Sequence, residues 1–443
     1  MRSAALERIC SLNQYMRSPI SPTDGSPSKR VLQDRISFQL LAGATAAVLL
    51  PTAIVLFLRD ASLSERALRN SIIAASIALI AGLYVTRRLR DFPGITRFET
   101  HIPIFIGAYF LVSAVLLLLR LPYSTIFMTV SFALTLGAFL VLTSVRRDRR
   151  LRFEVVPFGA IDRLKGIAGV ELRAISAPDL GLVGTGSGIV ADLTADLPDE
   201  WERLLAHAVL VGYPVFHVKQ VEESLTGRVD IERLSENSLG SLIPNRAFAD
   251  LKAVVDRVAA GVVLAILALP LAFVALWIRL DSPGPALFVQ QRIGRGGRPF
   301  EVYKFRSMQH AHDRSDERAA AMTADGDARI TRVGAFLRRT RIDELPQLIN
   351  VIRGEMSWIG PRPEAFALAT WYEEELPYYS YRHIVRPGLT GWAQVNQGHV
   401  SDLPSVHDKL RYDFFYIKHF SLWLDMLILL RTARIVVTGF GAK

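Results

Sequence analysis

The chain has 443 residues, of which 50% are hydrophobic, and a formal net charge of +10 at pH 7. The positive mean hydropathy excludes an ordinary soluble protein, and the single cysteine, Cys10, excludes an intrachain disulfide and a zinc site built from thiolates. The charge would suit nucleic acid or an anionic membrane face, but the basic residues occur mostly at the ends of apolar segments and around two acids. We therefore expect no nucleic-acid partner.

The first part of the chain predicts a tail followed by a membrane region. Residues 1–35 lack the apolar core and cleavage site of a signal peptide, and we predict a disordered cytoplasmic tail. Residues 36–146 hold four apolar segments without a charged residue, which predict four transmembrane helices. These segments are Phe38–Leu58, Ser71–Thr86, Ile102–Leu119 and Thr125–Val145. The alternative, helices buried in a soluble bundle, would need apolar surface all round four successive helices.

The basic residues between these segments predict the orientation. Arg87, Arg88, Arg146 and Arg147 belong to the loops of one side, which carries most of the positive charge. Positive residues near the ends of membrane helices remain in the cytoplasm. Both the N-terminus and everything after Arg146 are therefore predicted to be cytoplasmic.

Residues 147–247 change to mixed α/β patterning. Gly188–Asp192 and Pro214–His217 predict strands, and Asp199–Val211 between them predicts a helix, which resembles part of a doubly wound sheet. We predict a small Rossmann-like cytoplasmic domain. The glycines of Gly184–Gly188 precede the strand, whereas a nucleotide-binding loop follows one, so a plain turn is favoured over a cofactor site.

Residues 248–443 open with a fifth apolar run, 258–278, which is long enough to cross a membrane. Pro270 lies near its middle, where it removes a helical hydrogen bond. Basic residues flank both ends, so a crossing would place the more basic flank outside. We predict a re-entrant helix that breaks at Pro270 and returns to the same side, with a spanning helix as the alternative.

The chemistry-bearing residues follow this run. Ala286–Phe305 predicts a basic β-hairpin, and a basic segment from Arg329 leads into Asp343 and Glu344. Phosphoryl transfer needs positive charge for the phosphate oxygens, a carboxylate-held divalent metal and a positioned nucleophile. The acid pair supplies the carboxylates, and the surrounding cations are Arg338, Arg339, Arg341 and Arg362.

Each of these residues also has a structural interpretation. Asp343, three residues before Pro346, has the pattern of a helix N-cap. The arginines could instead form a solvated face on anionic lipid headgroups.

Several motifs, in order, resemble the bacterial sugar transferase family, the polyprenol-phosphate phosphoglycosyl transferases. The resemblance covers Lys252 to about Val437, and the preceding membrane helices and α/β region resemble the large form of the family. Where the family often has serine before the helix-breaking proline, this chain has Leu269. The matching motifs are the proline-broken helix, Lys304-Phe-Arg306, Asp343-Glu-Leu-Pro-Gln347, Pro361-Arg-Pro363 and Pro387-Gly-Leu-Thr-Gly391.

The resemblance implies a mainly α monotopic catalytic domain with a re-entrant membrane helix and a β-hairpin. It implies transfer of a sugar 1-phosphate from a nucleotide sugar, expected to carry UDP, to polyprenyl phosphate at the cytoplasmic face of the bacterial inner membrane. This would be the first membrane step of exopolysaccharide or O-antigen type synthesis. Membrane lipids and a second copy in a homodimer are further expected partners. The alternative is a non-catalytic scaffold or sensor in polysaccharide assembly.

The resemblance also implies a role for each matching residue. Asp343 becomes the nucleophile and the ligand of Mg²⁺, and Glu344 becomes its partner. Arg338 and Arg362 would bind substrate phosphate or the nucleotide. Lys304 and Arg306 would have a structural or phosphate-binding role.

Overall fold

The computed structural model describes residues 36–57, 65–89, 97–144, 151–167, 169–183, 188–231, 243–308, 329–398 and 402–438. The chain divides into two compact units, residues 1–227 and 228–443, and each is described by itself. The predicted disordered tail, residues 1–35, lies outside the described residues.

The first unit begins with four apolar helices where the sequence predicts them. They are α1 (Ile36–Phe57, with a π-helical turn at Thr45–Leu49), α2 (Glu65–Leu89), α3 (Arg97–Leu118) and α4 (Thr125–Ser144). Among the described residues, α1, α2 and α4 are long and apolar enough to cross a membrane, and α3 contributes the shorter apolar stretch Pro103–Leu118. Within the described residues, the fourth helix that meets this criterion lies in the second unit.

The four helices pack on one another and turn large apolar side chains outward. Phe105 stacks on Phe139 with ring centroids 5.0 Å apart, and both are buried in the core of the bundle. Phe110 and Leu118 are 73% and 79% exposed. Such an outer surface suits hydrocarbon rather than water, which favours membrane helices over the soluble bundle.

Residues 151–227 form the predicted α/β layer. The parallel strands β1 (Leu151–Val155), β2 (Val170–Ala174), β3 (Ile189–Ala191) and β4 (Val215–His217) lie in the order β2-β1-β3-β4. Helix α5 (Asp199–Val211) covers one face through Trp201, and α6 (Val218–Thr226) covers the other through Val221. Residues 184–187 of the glycine loop lie outside the described residues.

One carboxylate joins the loops at the carboxyl ends of β1 and β3. Asp192 accepts hydrogen bonds from the backbone N–H of Ala160 at 2.9 Å and from the hydroxyl of Thr194 at 2.6 Å. These bonds hold the pKa of Asp192 at about 2, below its ordinary value, although burial acts in the opposite direction.

The second unit combines a long helix, a hairpin and a helical body. Helix α7 is followed by the antiparallel strands β5 and β6, and a short parallel pair, β7 and β8, lies among the later helices. Its elements are α7 (Arg246–Asp281), β5 (Leu287–Ile293), β6 (Pro299–Phe305), α8 (Arg332–Thr340), α9 (Leu348–Arg353), β7 (Ser357–Ile359), α10 (Phe366–Glu375), β8 (Gly388–Thr390), α11 (Trp392–Asn396), α12 (Leu403–Lys418) and α13 (Leu422–Thr438).

Helix α7 differs from the prediction in length and continuity. It has 36 residues with Pro270 inside, so its helical secondary structure continues through the predicted break. Proline removes one hydrogen bond, which a bent helix tolerates without ending. Only 6% of its most apolar window is buried, which leaves an apolar surface suited to lipid. Whether α7 turns back within the membrane stays a prediction.

Both halves of α7 pack on the same helical body. Ala260, before Pro270, shares a buried cluster with Val351 of α9. Ile278, after Pro270, shares a second cluster with Leu337 of α8. The body that carries the acid pair therefore rests along α7 on both sides of the proline.

Candidate active site: an acid pair among buried cations

Asp343 and Glu344 lie in a short 3₁₀ helix, Ile342–Gln347, between α8 and α9. Arg341 ends α8 in the left-handed conformation, with φ of 59°, and turns the chain toward the acids. Gly334 lets α8 approach the end of the hairpin, because an added Cβ would lie 2.0 Å from the carbonyl oxygen of Ser307. The residue at the N-cap of the 3₁₀ helix is Arg341, so the interpretation of Asp343 as an N-cap is wrong.

Glu344 is held by cations. Its carboxylate accepts from the guanidinium of Arg362 at 2.7 and 3.4 Å, and Lys304 Nζ and Arg341 Nη1 lie at 3.9 and 3.7 Å. Burial by itself would raise the pKa of Glu344, but these cations outweigh it and hold the pKa well below its usual range. Glu344 is therefore a fixed negative charge at neutral pH.

Asp343 has the opposite environment. Its Oδ1 is buried and has no hydrogen-bond partner among the described residues. Burial and, next, the charge of Glu344 raise the pKa of Asp343 to about 6, against the opposing effect of Lys304 and Arg362. The two neighbouring acids therefore have different roles, because cations saturate Glu344 whereas Asp343 keeps an oxygen available for a reacting group.

The hairpin and the loop after β7 bring the two main cations together. Lys304, at the end of β6, is mostly buried, and burial, followed by the nearby Arg292, lowers its pKa to about 7. Arg362 follows β7 in a loop that Gly388 holds by donating to the carbonyl of Pro361 at 3.0 Å. Buried cations beside an uncommitted carboxylate can bind the oxygens of a diphosphate.

Two predicted binding residues and the proline are not part of this cluster. Arg306 is buried, and its guanidinium donates to the carbonyls of Ser282 at 2.6 Å and Pro283 at 2.9 Å, so it holds the end of α7. Of its two predicted roles, the geometry supports the structural one. Arg338 lies partly exposed in the last turn of α8. Pro270 lies within α7.

Arg292 is a further cation of the site that was not among the predicted site residues. Its guanidinium donates to the carbonyl of Pro363 and, at 3.0 Å, to Gln290. Burial, and then Arg362, lowers its pKa to about 10. The strand register pairs 292 with 300 and 288 with 304, so Arg292 lies on the same face of the hairpin as Lys304.

The carboxylates fit a magnesium ion held in part by substrate. The described residues contain no cluster of three or more histidine, cysteine or acidic side chains suited to a metal. Mg²⁺ does not need such a cluster, because it keeps several waters and is commonly bound through one or two carboxylates and substrate phosphates. The buried, unpartnered Oδ1 of Asp343 meets that requirement.

These features define a membrane protein with a site for phosphoryl transfer. Residues 247–439 match the family model described as bacterial sugar transferase. The chain is 44% identical over 377 residues to the UDP-N-acetylgalactosamine-undecaprenyl-phosphate N-acetylgalactosaminephosphotransferase of Aeromonas hydrophila, covering 84% of this chain and 88% of that protein.

Two further relatives match the C-terminal part. The UDP-glucose:undecaprenyl-phosphate glucose-1-phosphate transferase of Caulobacter vibrioides is 45% identical over 205 residues, which are 46% of this chain and 76% of that protein. The Escherichia coli protein of the same name is 41% identical over 195 residues, which are 44% of this chain and 41% of that protein. The chain belongs to the bacterial sugar transferase family and is a phosphoglycosyl transferase.

Proposed function

We propose that the protein transfers a sugar 1-phosphate from a UDP-sugar to undecaprenyl phosphate through a covalent intermediate on Asp343. The observation that carries the proposal is the contrast within the acid pair. Asp343 Oδ1 is buried and unpartnered among the described residues, while Arg362 holds both oxygens of Glu344. The relatives named above act on UDP-sugars and undecaprenyl phosphate, which supports the same two substrates here.

In the first step a carboxylate oxygen of Asp343 attacks the phosphorus that bears the sugar. A new oxygen–phosphorus bond forms, and the bond to the bridging oxygen breaks with its electron pair leaving on UMP. Lys304 and Arg362 supply positive charge for the phosphate oxygens. Mg²⁺ bound by Asp343 would neutralise further charge on the diphosphate.

In the second step an oxygen of undecaprenyl phosphate attacks the same phosphorus. The bond to Asp343 breaks, its electron pair returns to the carboxylate, and the lipid diphosphate sugar leaves. Glu344 is saturated by Arg362 and Lys304, so its role is to fix those cations rather than to attack. A donor arriving from water and an acceptor anchored in lipid need a site at the membrane surface.

The attachment of α7 supports a re-entrant helix and a site on the cytoplasmic face. Near its start, Asp256 accepts from the hydroxyl of Ser357 at 2.6 Å, and after its end Arg306 binds Ser282. About 26 residues of helix span roughly 39 Å, more than the ~30 Å hydrocarbon layer. Because both ends of α7 are bound to the same polar helical body, they lie on the same side of the membrane. A bend of α7 within the membrane is therefore favoured. The arginine loops of the first unit favour the cytoplasmic side.

Donor half-reactions test the proposal. Purified protein with Mg²⁺ and either UDP-N-acetylgalactosamine or UDP-glucose should release up to one UMP per active site before acceptor is added, and should retain phosphosugar on Asp343. Asp343→Asn should release none, whereas Asp408→Asn, a partly exposed acid on α12, should behave as the native protein. Multiple UMP per site without acceptor, or turnover by Asp343→Asn, would contradict the mechanism. The expected homodimer stays a prediction that the mass of the solubilised protein will check.

A further inference from the structure

A second group of buried charges lies behind the loop that carries Arg362. Arg382, of which 3% is exposed, forms an ion pair with Asp413 at 2.8 Å and donates to the hydroxyl of Tyr379 at 2.7 Å. Lys409 of α12 forms an ion pair with Glu364, and Arg382 lies 3.9 Å from the same carboxylate. Two cations thus balance two acids in the interior, and the proposed chemistry uses none of them.

This group is joined to the active site through the backbone of Arg362. The guanidinium of Arg382 donates to the carbonyl of Arg362 at 2.9 Å, while the side chain of Arg362 extends the other way and donates to Glu344 at 2.7 Å. The segment is tied again at Pro363, whose carbonyl accepts from Arg292, and at Glu364, whose carbonyl accepts from Ile293 N–H at 3.2 Å.

The contacts that hold the Arg362 segment determine which atoms the guanidinium of Arg362 can contact. The planar guanidinium of Arg382 donates to a hydroxyl and a carbonyl while its charge faces a carboxylate. A lysine ammonium of the same charge cannot make these contacts in the same geometry. If the Arg362 carbonyl moved by about 1 Å, the two-pronged bond to Glu344 would be misaligned, and errors of that size are costly at reacting centres.

We propose that Arg382 is a positioning residue, which fixes the loop of Arg362 so that its guanidinium saturates Glu344 and leaves Asp343 available to the donor. The proposal rests on the proposed function, since it assigns Arg382 a part in the donor half-reaction. It makes the buried cluster of Arg382, Tyr379, Glu364, Lys409 and Asp413 a support of the active site as well as a part of the core.

A double-mutant cycle tests it, because residues that act through one another have non-additive effects. The variants are Arg382→Lys, Arg362→Lys and the double variant, measured by initial UMP release per enzyme as kcat/KM for the donor. The donor kcat/KM should fall about tenfold for Arg382→Lys and about a hundredfold for Arg362→Lys. These factors correspond to the loss of one and of two hydrogen bonds of about 1.4 kcal/mol each. The double variant should be within about threefold of Arg362→Lys alone.

Tyr379→Phe provides a milder second cycle, because it removes only the hydroxyl that accepts from Arg382 and keeps the buried ring. Tyr379→Phe should lower the donor kcat/KM about threefold in the native background. Added to Arg362→Lys, it should lower the donor kcat/KM no further. Arg411→Lys, at a partly buried position of α12 paired with Asp408, is the matched control and should retain native kcat/KM. If Arg382→Lys does not fold, the Tyr379→Phe cycle alone decides.

The outcomes separate this inference from the proposed function. The positioning role is overturned if the decrease in kcat/KM of each folded double variant equals the product of the decreases in its two single variants. A native kcat/KM for Arg382→Lys also overturns it. Coupled losses at native melting temperature support it. Asp343→Asn, run in parallel, reports on the proposed function: if it turns over, the covalent mechanism fails whatever Arg382 does, and if it is inactive while losses multiply, only the positioning role falls.

Discussion

Arg362 and Glu344 face each other in a two-pronged ion pair, with Nη2–Oε1 and Nη1–Oε2 distances of 2.7 and 3.4 Å. The pair is mostly buried, and its main consequence concerns the neighbouring Asp343. Because Arg362 is committed to Glu344, the protein leaves the buried Oδ1 of Asp343 without a hydrogen bond from the described residues. An uncompensated buried carboxylate costs stability and is retained where chemistry needs it.

Asp343→Asn is therefore expected to stabilise the fold at neutral pH while it abolishes turnover. The pKa of Asp343 is raised to about 6 from 3.8 by burial first and Glu344 second. A raised carboxyl pKa means that the folded state loses stability as pH rises from about 4 to 6 and remains less stable above that range. Removing the charge should add about 1–3 kcal/mol at pH 7. Thermal unfolding at pH 7 and pH 4 checks this, since the gain should largely vanish at pH 4. An equal or lower melting temperature for the variant at pH 7 contradicts it.

The donor half-reaction should lose rate in acid. Only the ionised carboxylate of Asp343 attacks, so the kcat/KM for UMP release should fall about tenfold per pH unit below a midpoint near 6. Glu344→Gln removes the neighbouring negative charge, which lowers the pKa of Asp343, and the midpoint should move to lower pH. The rate at neutral pH should also fall, because Arg362 and Lys304 lose their common partner. A midpoint that stays in place or rises contradicts the assigned electrostatics.

The two basic residues of the Lys304-Phe-Arg306 motif should respond differently to substitution. Lys304→Gln removes a cation beside the acids, so donor kcat/KM should fall at least about tenfold with little change in melting temperature. Arg306→Lys loses bonds to carbonyls at the end of α7, so the melting temperature should fall by several degrees and the donor KM should change little. Steady-state kinetics and thermal unfolding of both variants check the contrast. If the donor KM rises more for Arg306→Lys than for Lys304→Gln, Arg306 binds the substrate phosphate after all.

The path of α7 can be read by cysteine labelling in whole cells. In a Cys10→Ser background, Asp250→Cys and Arg298→Cys introduce exposed thiols before and after the apolar run. Both should resist a membrane-impermeant maleimide until the cells are opened. Leu121→Cys, in the exposed turn between α3 and α4, is the positive control and should be labelled from outside. Labelling of Arg298→Cys in intact cells shows a spanning helix instead.

The acid pair, Lys304 and Arg362 could be predicted because each belongs to a short run whose charges and spacing carry information. Arg292 could not be separated from the other basic residues of the hairpin without the strand register, which decides the face on which a side chain lies. Arg306 was ambiguous because its partners are backbone carbonyls, which leave no mark in a sequence. The predicted start of the fifth run, at 258, came too late because Lys252 and Asp256 interrupt the hydropathy, yet they are paired inside the fold.

Lys252 has a second acidic partner, which is synthesised much later in the chain. Lys252 Nζ lies 2.9 Å from Asp425 of α13, and the hydroxyl of Tyr416 donates to the same carboxylate at 2.8 Å. Helix α7 is thus joined to α13 through Lys252, which gains this partner only after α13 has been synthesised. A chain that ends before Asp425 leaves Lys252 with Asp256, at 3.3 Å, but without the carboxylate of α13.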